Sequence, residues 1–242
     1  MIHVDADGPV GGLIIDRQHV RNAVDADALV ELRAGLDQLV AADVRVVVLS
    51  GAGGHFCAGA DLSTLEDRAF TVLLREVLDR IAGAPVPVIA ALEGAALGLG
   101  TQLAISCDLR TATADAQMGI PAGRLGLMVD HETVARLSLL AGHGTAQAML
   151  LGAEVVRGAD AHRVGLVQRI GTVDDAREWA SAIARLAPLA VGGHKVSLAA
   201  AARGDRAAPE ARAAFDRAWA SADLREGIAA FHERRPPAFE GR

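Results

Sequence analysis

Short apolar runs alternate with longer amphipathic stretches along most of the chain. The apolar runs predict strands at residues 2–4, 11–16, 44–49, 86–92, 109–111, 116–120 and 164–170. The clearest helical pattern between them places four leucines on one face, Leu29, Leu32, Leu36 and Leu39. Asp25 or Asp27 is the expected N-cap of this helix. Repeated alternation of strands and helices is typical of an α/β fold with right-handed crossovers.

The pattern becomes wholly helical from about residue 172. Helices are predicted over residues 176–187, 188–202, 209–220 and 222–234. This change divides the chain into an α/β core, residues 1–171, and a C-terminal helical region, residues 172–242.

The composition indicates a chain with ample material for a buried core. Of its 242 residues, 51% are hydrophobic, but only five are Phe, two are Trp and none is Tyr, so Ala, Val and Leu must fill that core. The net charge of -6, with no long block of one sign, argues against an extended nucleic-acid surface.

The cysteines and the apolar stretches indicate a cytoplasmic protein. Cys57 and Cys107 lie in apolar surroundings without metal-site spacing, so we expect reduced core thiols. The chain begins with strand-like alternation rather than a basic, apolar leader. The apolar stretch at residues 86–104 contains glycines and Glu93, so no membrane span is expected.

Two loops made largely of small residues follow apolar strands. They cover residues 55–62 and 93–103, and each leads to a predicted helix start. The first N–H groups of a helix have no intrahelical acceptor. Two such groups directed at one thioester carbonyl would stabilise an enolate or tetrahedral oxyanion by about 3 kcal/mol per donor. A dinucleotide site is not indicated, because Leu103 stands where that motif needs its last glycine.

Five stretches, in matching order, resemble the crotonase superfamily, the enoyl-CoA hydratase/isomerase family. They are residues 21–25, 56–62, 87–91 with the glycines that follow, 106–108 and 225–237. This resemblance covers almost the whole chain and implies a spiral of ββα turns. It also implies that the C-terminal helical region joins subunits into homotrimers or dimers of trimers. A tail that folds only on its own core is the alternative.

The resemblance assigns the oxyanion donors to the backbone N–H groups of Ala60 and Leu99. Family hydratases carry two catalytic glutamates, and the matching positions here are Gln102 and Ala122. An amide cannot take a proton at neutral pH and a methyl group has no polar atom, so hydration should be slow. Gln102 could instead line the acyl pocket. Contact with the CoA thioester is implied for Arg21, Asn22, Ala23, Ala58, Ala60, Asp61, Leu62, Gln102 and Ala122.

Asp130 is the remaining candidate acid. Its position resembles the one where some crotonase relatives carry a catalytic base or a nucleophile. An ordinary helix N-cap explains it equally well, because Thr133 follows three residues later. Both interpretations stay open. Lys195 and Arg234 are candidates for contact with CoA phosphates, or solvated helix charges.

The resemblance extends to actinobacterial members that lack both glutamates, one of which is associated with mycolic-acid lipid metabolism. The shared stretches are residues 142–144, 148–151 and 236–239. The resemblance implies that the protein binds fatty acyl- or enoyl-CoA with little hydratase activity and delivers it to a protein partner. The alternative is an isomerase, hydrolase or residual hydratase with Asp130 as its single carboxylate. No metal or nicotinamide cofactor is implied, and acyl chain length depends on loops such as residues 63–71.

Overall fold

The computed structural model of the protein describes residues 1–61 and 68–242. Its main sheet has six strands, in the spatial order β1 (Ile2–Asp7), β2 (Val10–Ile15), β3 (Val46–Gly51), β4 (Val88–Leu92), β6 (Leu109–Ala112) and β9 (Arg169–Ile170). β1 and β2 are antiparallel, and the other neighbours are parallel. A second sheet contains β5 (Ala95–Leu97), β7 (Gln117–Gly119) and β8 (Val156–Arg157).

Helices connect most of these strands. They are α1 (Ala26–Ala41), α2 (Arg68–Ala82), α3 (Leu99–Ser106), α4 (His131–Ala141), α5 (His143–Leu151), α6 (Gly158–Arg163), α7 (Val173–Ala184), α8 (Pro188–Ala202), α9 (Pro209–Ala220) and α10 (Ala222–Glu233). The predicted α/β class is therefore confirmed.

The main sheet is buried on both faces, as parallel sheets usually are. Along β3, Val47 and Leu49 face the larger core cluster, to which α1 contributes its four leucines. Val46 and Val48 face the opposite side, against the alanines of α7. The predicted face of α1 is confirmed. Its N-cap is Asp25, whose side chain accepts a hydrogen bond from the Ala28 N–H at 2.9 Å.

The predicted strand at residues 164–170 is wrong except at its end. Val164 is the C-cap of α6, and only Arg169–Ile170 pairs with a strand. Leu166 and Val167 are buried in the turn between them. An apolar run signals burial, and burial alone does not distinguish a strand from a buried turn. The short strands β5 and β8 were not predicted. β5 consists of Ala-Ala-Leu inside the second small-residue loop, residues 93–103, and β8 has only two residues.

The C-terminal helices were predicted to within a few residues. α7 begins at Val173, three residues earlier than expected, because Thr172 and Asp175 form a reciprocal capping box. α7 covers the outer face of the main sheet, whereas α8, α9 and α10 extend beyond it. The tail returns to the core at Arg45, whose guanidinium donates to the Phe239 carbonyl at 2.6 Å. No helix in the described part of the chain is long and apolar enough to cross a bilayer.

Candidate functional site

The first small-residue loop is fixed by the buried side chain of Asn22. Its amide donates to the carbonyls of Ala52 at 2.8 Å and His55 at 2.6 Å, and its oxygen accepts from the Arg17 N–H at 2.8 Å. Arg21 and Asn22 have positive φ angles of 51° and 60°. This backbone turns the chain so that the Arg21 carbonyl accepts from Ala58 N–H at 3.0 Å. The Asn22 side chain therefore builds the loop and has no free polar group for a ligand.

Ala60 forms an isolated parallel bridge with Val24. Val24 N–H donates to the Gly59 carbonyl at 2.9 Å, and Asp61 N–H donates to the Val24 carbonyl at 2.8 Å. In a parallel bridge of this kind the residue between the two bonds directs its N–H away from the partner strand. Within residues 1–61 and 68–242 the Ala60 N–H has no acceptor.

The second loop ends in Gly98, the N-cap of α3, with a φ of 55°. Leu99 is the first residue of α3, where the N–H has no intrahelical acceptor, and no other described residue accepts from it. The turn is held by Gly119, whose carbonyl accepts from Gly98 N–H at 2.8 Å and from the Thr101 hydroxyl at 2.9 Å. The predicted helix start after Gly98 is confirmed.

The two loops pack against each other near their glycines. A Cβ built on Gly98 would lie 3.9 Å from the Cα of Gly59, and Leu97 N–H donates to the Cys57 carbonyl at 2.9 Å. Ala60 follows Gly59, and Leu99 follows Gly98. The fold therefore places Ala60 and Leu99 beside the contact between the two loops.

Gln102 and Ala122 occupy the two positions at which glutamates were expected. Gln102 is one turn beyond Leu99 on α3 and only 7% exposed. Its Oε1 lies 3.2 Å from the hydroxyl of Thr133, the third residue of α4. Ala122 begins a 3₁₀ turn, Ala122–Leu125, and is half-buried against the core. Neither side chain can act as a general acid or a general base at neutral pH.

Asp130 is the N-cap of α4, so that prediction is confirmed. Its Oδ1 accepts from the Thr133 N–H at 2.9 Å, and its Oδ2 lies 3.0 Å from the Thr133 hydroxyl. Arg75, from α2, lies 3.3 Å from the same carboxylate. Burial alone would raise the pKa of Asp130, but the hydrogen bonds from Thr133 and the charge of Arg75 together lower it. A carboxylate with a lowered pKa is a weak base.

The other residues expected at a CoA site lie in the first loop and in the segment that packs against it. Arg21 is exposed, and Ala58 is half-buried. The carbonyl of Ala23 accepts a hydrogen bond from the guanidinium of Arg17 at 2.5 Å. Asp61 lies 3.9 Å from the same guanidinium. Leu62 lies outside the described residues, as do residues 63–67 of the loop expected to shape the acyl pocket.

The cysteines take no part in this chemistry. Cys57 and Cys107 are both buried and free, as predicted. Burial raises the pKa of each thiol to about 12, so neither forms a thiolate nucleophile near neutral pH.

Sequence reasoning missed two residues of the site. Thr133 was recognised only as a capping partner, although its hydroxyl also contacts Gln102. Arg75 gave no signal at all, since an arginine on an amphipathic helix is ordinarily a solvated charge. It contacts three acids, Asp79 at 2.7 Å, Asp130 at 3.3 Å and Glu132 at 3.6 Å.

A comparison with protein families identifies the family of this chain. Residues 6–242 match the family model described as Enoyl-CoA hydratase/isomerase. The chain belongs to the enoyl-CoA hydratase/isomerase family. Its resemblance to the crotonase superfamily is thereby confirmed, and with it a place in a family of fatty-acid metabolism.

Relatives in this family align over nearly the full chain. A "probable enoyl-CoA hydratase" of Mycobacterium tuberculosis is 41% identical over 228 residues, covering 94% of each protein. The short-chain-enoyl-CoA hydratase of Clostridium acetobutylicum is 34% identical over 249 residues, covering 96% of this chain and 94% of the relative.

Solved structures of the enoyl-CoA hydratase/isomerase family superimpose closely on this one. The crystal structure of an enoyl-CoA hydratase from Bacillus anthracis gives a TM-score of 0.93 at 31% identity, covering 100% of this chain and 99% of that one. An enoyl-CoA hydratase from Mycobacterium tuberculosis gives 0.89 at 30% identity, covering 100% and 99%. The predicted crotonase fold is therefore confirmed.

Proposed function

We propose that this protein binds fatty acyl- or enoyl-CoA with the thioester carbonyl oxygen between the N–H groups of Ala60 and Leu99. The close approach of the two loops supports the proposal, since Ala60 follows Gly59 and Leu99 follows Gly98 there, and neither N–H has an acceptor within residues 1–61 and 68–242. Two preorganised donors stabilise the negative charge that develops on a thioester oxygen.

Little hydratase activity is expected at this site. General acid-base catalysis by one positioned side chain typically contributes about 100-fold or more. Gln102 and Ala122 provide no such group at either glutamate position. Binding of an acyl-CoA, followed by delivery to a lipid-metabolism protein partner in the cytoplasm, is therefore the leading form of the proposal.

An active enzyme with Asp130 as its single carboxylate is the second candidate. The Asp130 side chain is 41% exposed, so a ligand could reach it. Such an enzyme would isomerise a double bond, hydrolyse the thioester or hydrate slowly. The hydrogen bonds from Thr133 and the lowered pKa of Asp130 weaken it as a base, which favours the binding protein.

A paired substitution at Leu99 tests the oxyanion donor. Proline is well tolerated at the first position of a helix, where it removes an N–H that has no intrahelical acceptor. Leu99→Pro should weaken binding of crotonyl-CoA and longer acyl-CoAs about tenfold, measured by calorimetry. Leu99→Ala loses a similar side-chain volume but keeps the N–H, and should bind close to the parent protein. Equal losses of affinity in the two variants would show that the Leu99 N–H does not contact the ligand.

Turnover is tested by mass spectrometry of the same mixtures. Mass gain, isomerised product and free CoA are followed for the parent protein and for Asp130→Asn. Saturable binding without product supports the binding protein. Product that disappears in Asp130→Asn, while affinity survives, establishes the single-carboxylate enzyme. Hydration near the rate of a glutamate-containing family hydratase would contradict both.

We also propose that α8, α9 and α10 join copies of the chain into a homotrimer or a dimer of trimers. An apolar groove of about 600 Å³ lies between these helices, and Trp219 and Phe231 on its wall are 64% and 81% exposed. Exposed apolar patches of this kind usually mark contact surfaces. Light scattering should give three or six copies, and Phe231→Asp together with Trp219→Ser should yield monomers. A monomeric parent protein would overturn this assignment.

A further inference from the structure

The Thr133 hydroxyl lies between two groups that both present oxygen atoms. Its Oγ1 is 3.0 Å from Oδ2 of Asp130 and 3.2 Å from Oε1 of Gln102. A hydroxyl carries one proton and can donate one good hydrogen bond. One of the two contacts must therefore be made through a lone pair of Oγ1.

The Thr133 hydroxyl donates its hydrogen bond to Asp130. The Asp130 carboxylate already accepts from the Thr133 N–H at 2.9 Å and lies 3.3 Å from the guanidinium of Arg75. These contacts lower the pKa of Asp130 despite its partial burial, so it is ionised near neutral pH. An ionised carboxylate accepts hydrogen bonds only, and it attracts the proton more strongly than an amide oxygen does.

The lone pair of Thr133 Oγ1 consequently faces Gln102. The side-chain amide keeps nearly the same shape when its oxygen and nitrogen exchange places, so its hydrogen bonds decide which atom faces Thr133. An oxygen there would face a second acceptor. A nitrogen there donates to Oγ1 instead, which leaves the amide oxygen on the side away from α4.

We propose that Thr133 and Asp130 are positioning residues that turn the carbonyl oxygen of Gln102, rather than its NH₂ group, towards the bound acyl chain. The site would then favour acyl thioesters that carry a hydroxyl donor close to the thioester carbonyl. This inference rests on the proposed acyl-CoA site, because it concerns the acyl chain whose carbonyl lies at Ala60 and Leu99.

The position of Gln102 fits this role. It follows Leu99 by three residues on α3, about 4.5 Å along the helix axis, so a group near the carbonyl of the ligand would lie beside it. The residue is 7% exposed, and beyond its contact with Thr133 its side chain makes no hydrogen bond in residues 1–61 and 68–242. An acceptor so placed gains from a ligand hydroxyl and gains nothing from a saturated chain.

The test compares two ligands on the intact protein. Calorimetry gives the dissociation constants of 3-hydroxybutyryl-CoA and butyryl-CoA, and the parent protein should favour the hydroxylated ligand about three- to tenfold. Thr133→Val removes the hydroxyl with little change of shape, so this preference should fall to about one while butyryl-CoA binds as before. Thr133→Ser should restore the preference.

Asp130→Asn provides a second, independent variant. The amide of the new residue can donate to Thr133 Oγ1, which frees the hydroxyl proton for the oxygen of Gln102 and turns the NH₂ group towards the ligand. The preference for the hydroxylated ligand should then fall at least threefold. Glu132→Gln removes a neighbouring charge that lies 3.6 Å from Arg75, and it should leave the preference unchanged.

The outcomes separate this inference from the proposed function. Equal affinity of the parent protein for the two ligands overturns the inference, as does a preference that survives in Thr133→Val. Failure of both ligands to bind overturns the proposed acyl-CoA site itself. A change in melting temperature without a change in preference would show that Thr133 is only structural, and this also overturns the inference.

Discussion

Lys195 and Asp108 form an ion pair that ties helix α8 to the main sheet. The Nζ of Lys195 lies 2.7 Å from Oδ2 of Asp108 and 3.0 Å from the Val86 carbonyl. The same Oδ2 accepts from Val88 N–H at 2.8 Å, at the start of β4. The Lys195 side chain is only 10% exposed, so this lysine is part of the structure and is not a solvated charge.

Lys195→Met should therefore destabilise the protein. The substitution keeps most of the aliphatic stem but leaves Asp108 without its cation in a half-buried position. We expect a loss of about 2 kcal/mol in the free energy of unfolding, measured by urea denaturation. Arg206→Met removes an exposed charge and is the control, with an expected change below about 0.5 kcal/mol. Similar small changes in both variants would contradict the structural role of Lys195.

Asn22→Gly should also be strongly destabilising, although glycine suits the backbone better. Asn22 has a φ of 60°, so glycine relieves the cost of the left-handed conformation. It also removes three buried side-chain hydrogen bonds, and we expect a net loss of about 2–3 kcal/mol by thermal denaturation.

Asp43→Gly is the matched control for Asn22→Gly. Asp43 is exposed, has a φ of 58° and makes no side-chain hydrogen bond or ion pair among the described residues, so glycine there should be neutral or stabilise slightly. A stable Asn22→Gly variant that still binds acyl-CoA would contradict the role of Asn22 in building the first loop.

Much of this fold was predictable because its signals are local. The leucine face of α1, the N-caps Asp25 and Asp130, and the start of α3 after Gly98 all follow from residues near in sequence. The error at residues 164–170 has a tertiary origin. Leu166 and Val167 are buried by the core around them, and no local pattern distinguishes this from a strand.

The candidate site was predictable only in part, for the same reason. Small residues in the loops signalled close backbone approach, and in the structure Leu97 N–H of the second loop donates to the Cys57 carbonyl of the first. The contact of Thr133 with Gln102 joins residues 31 positions apart, and that of Arg75 with Asp130 joins residues 55 positions apart. Such pairings arise from the packing of α2, α3 and α4, which single-sequence patterns do not reveal.

The cap at Asp130 predicts a specific pH dependence. Because the folded-state pKa of Asp130 is lowered, the ionised carboxylate stabilises the fold above about pH 5, and this contribution is lost as pH falls through the folded-state pKa. Asp130→Ala should lose about 1 kcal/mol at pH 7, with little of it from the solvent-screened pair with Arg75. The difference from the parent protein should narrow below about pH 4 in urea denaturation.

Asp174→Ala is the control for this measurement. Asp174 is an exposed acid in the first turn of α7, but it is not the N-cap, which is Thr172. Its substitution tests the general effect of an acid near a helix N-terminus, which contributes about 0.3–1 kcal/mol to the free energy of unfolding. A loss in Asp130→Ala that is constant from pH 7 to pH 3 would show that the carboxylate charge contributes nothing to the cap.

Gly100→Ala tests the contact between the two loops. Gly100 is the second residue of α3, and a Cβ there would lie 2.1 Å from the Cys57 carbonyl oxygen, so the loops must separate to admit it. Alanine favours a helix over glycine by about 1 kcal/mol, but overpacking against backbone costs about 1–3 kcal/mol and displaces Leu99 from Ala60. We therefore expect both a lower melting temperature and weaker binding of acyl-CoA. Gly123→Ala is the control, since its Cβ would meet no atom within 4 Å, and it should leave both properties unchanged. A Gly100→Ala variant as stable and as tightly binding as the parent protein would show that the two loops need not touch for the site to form.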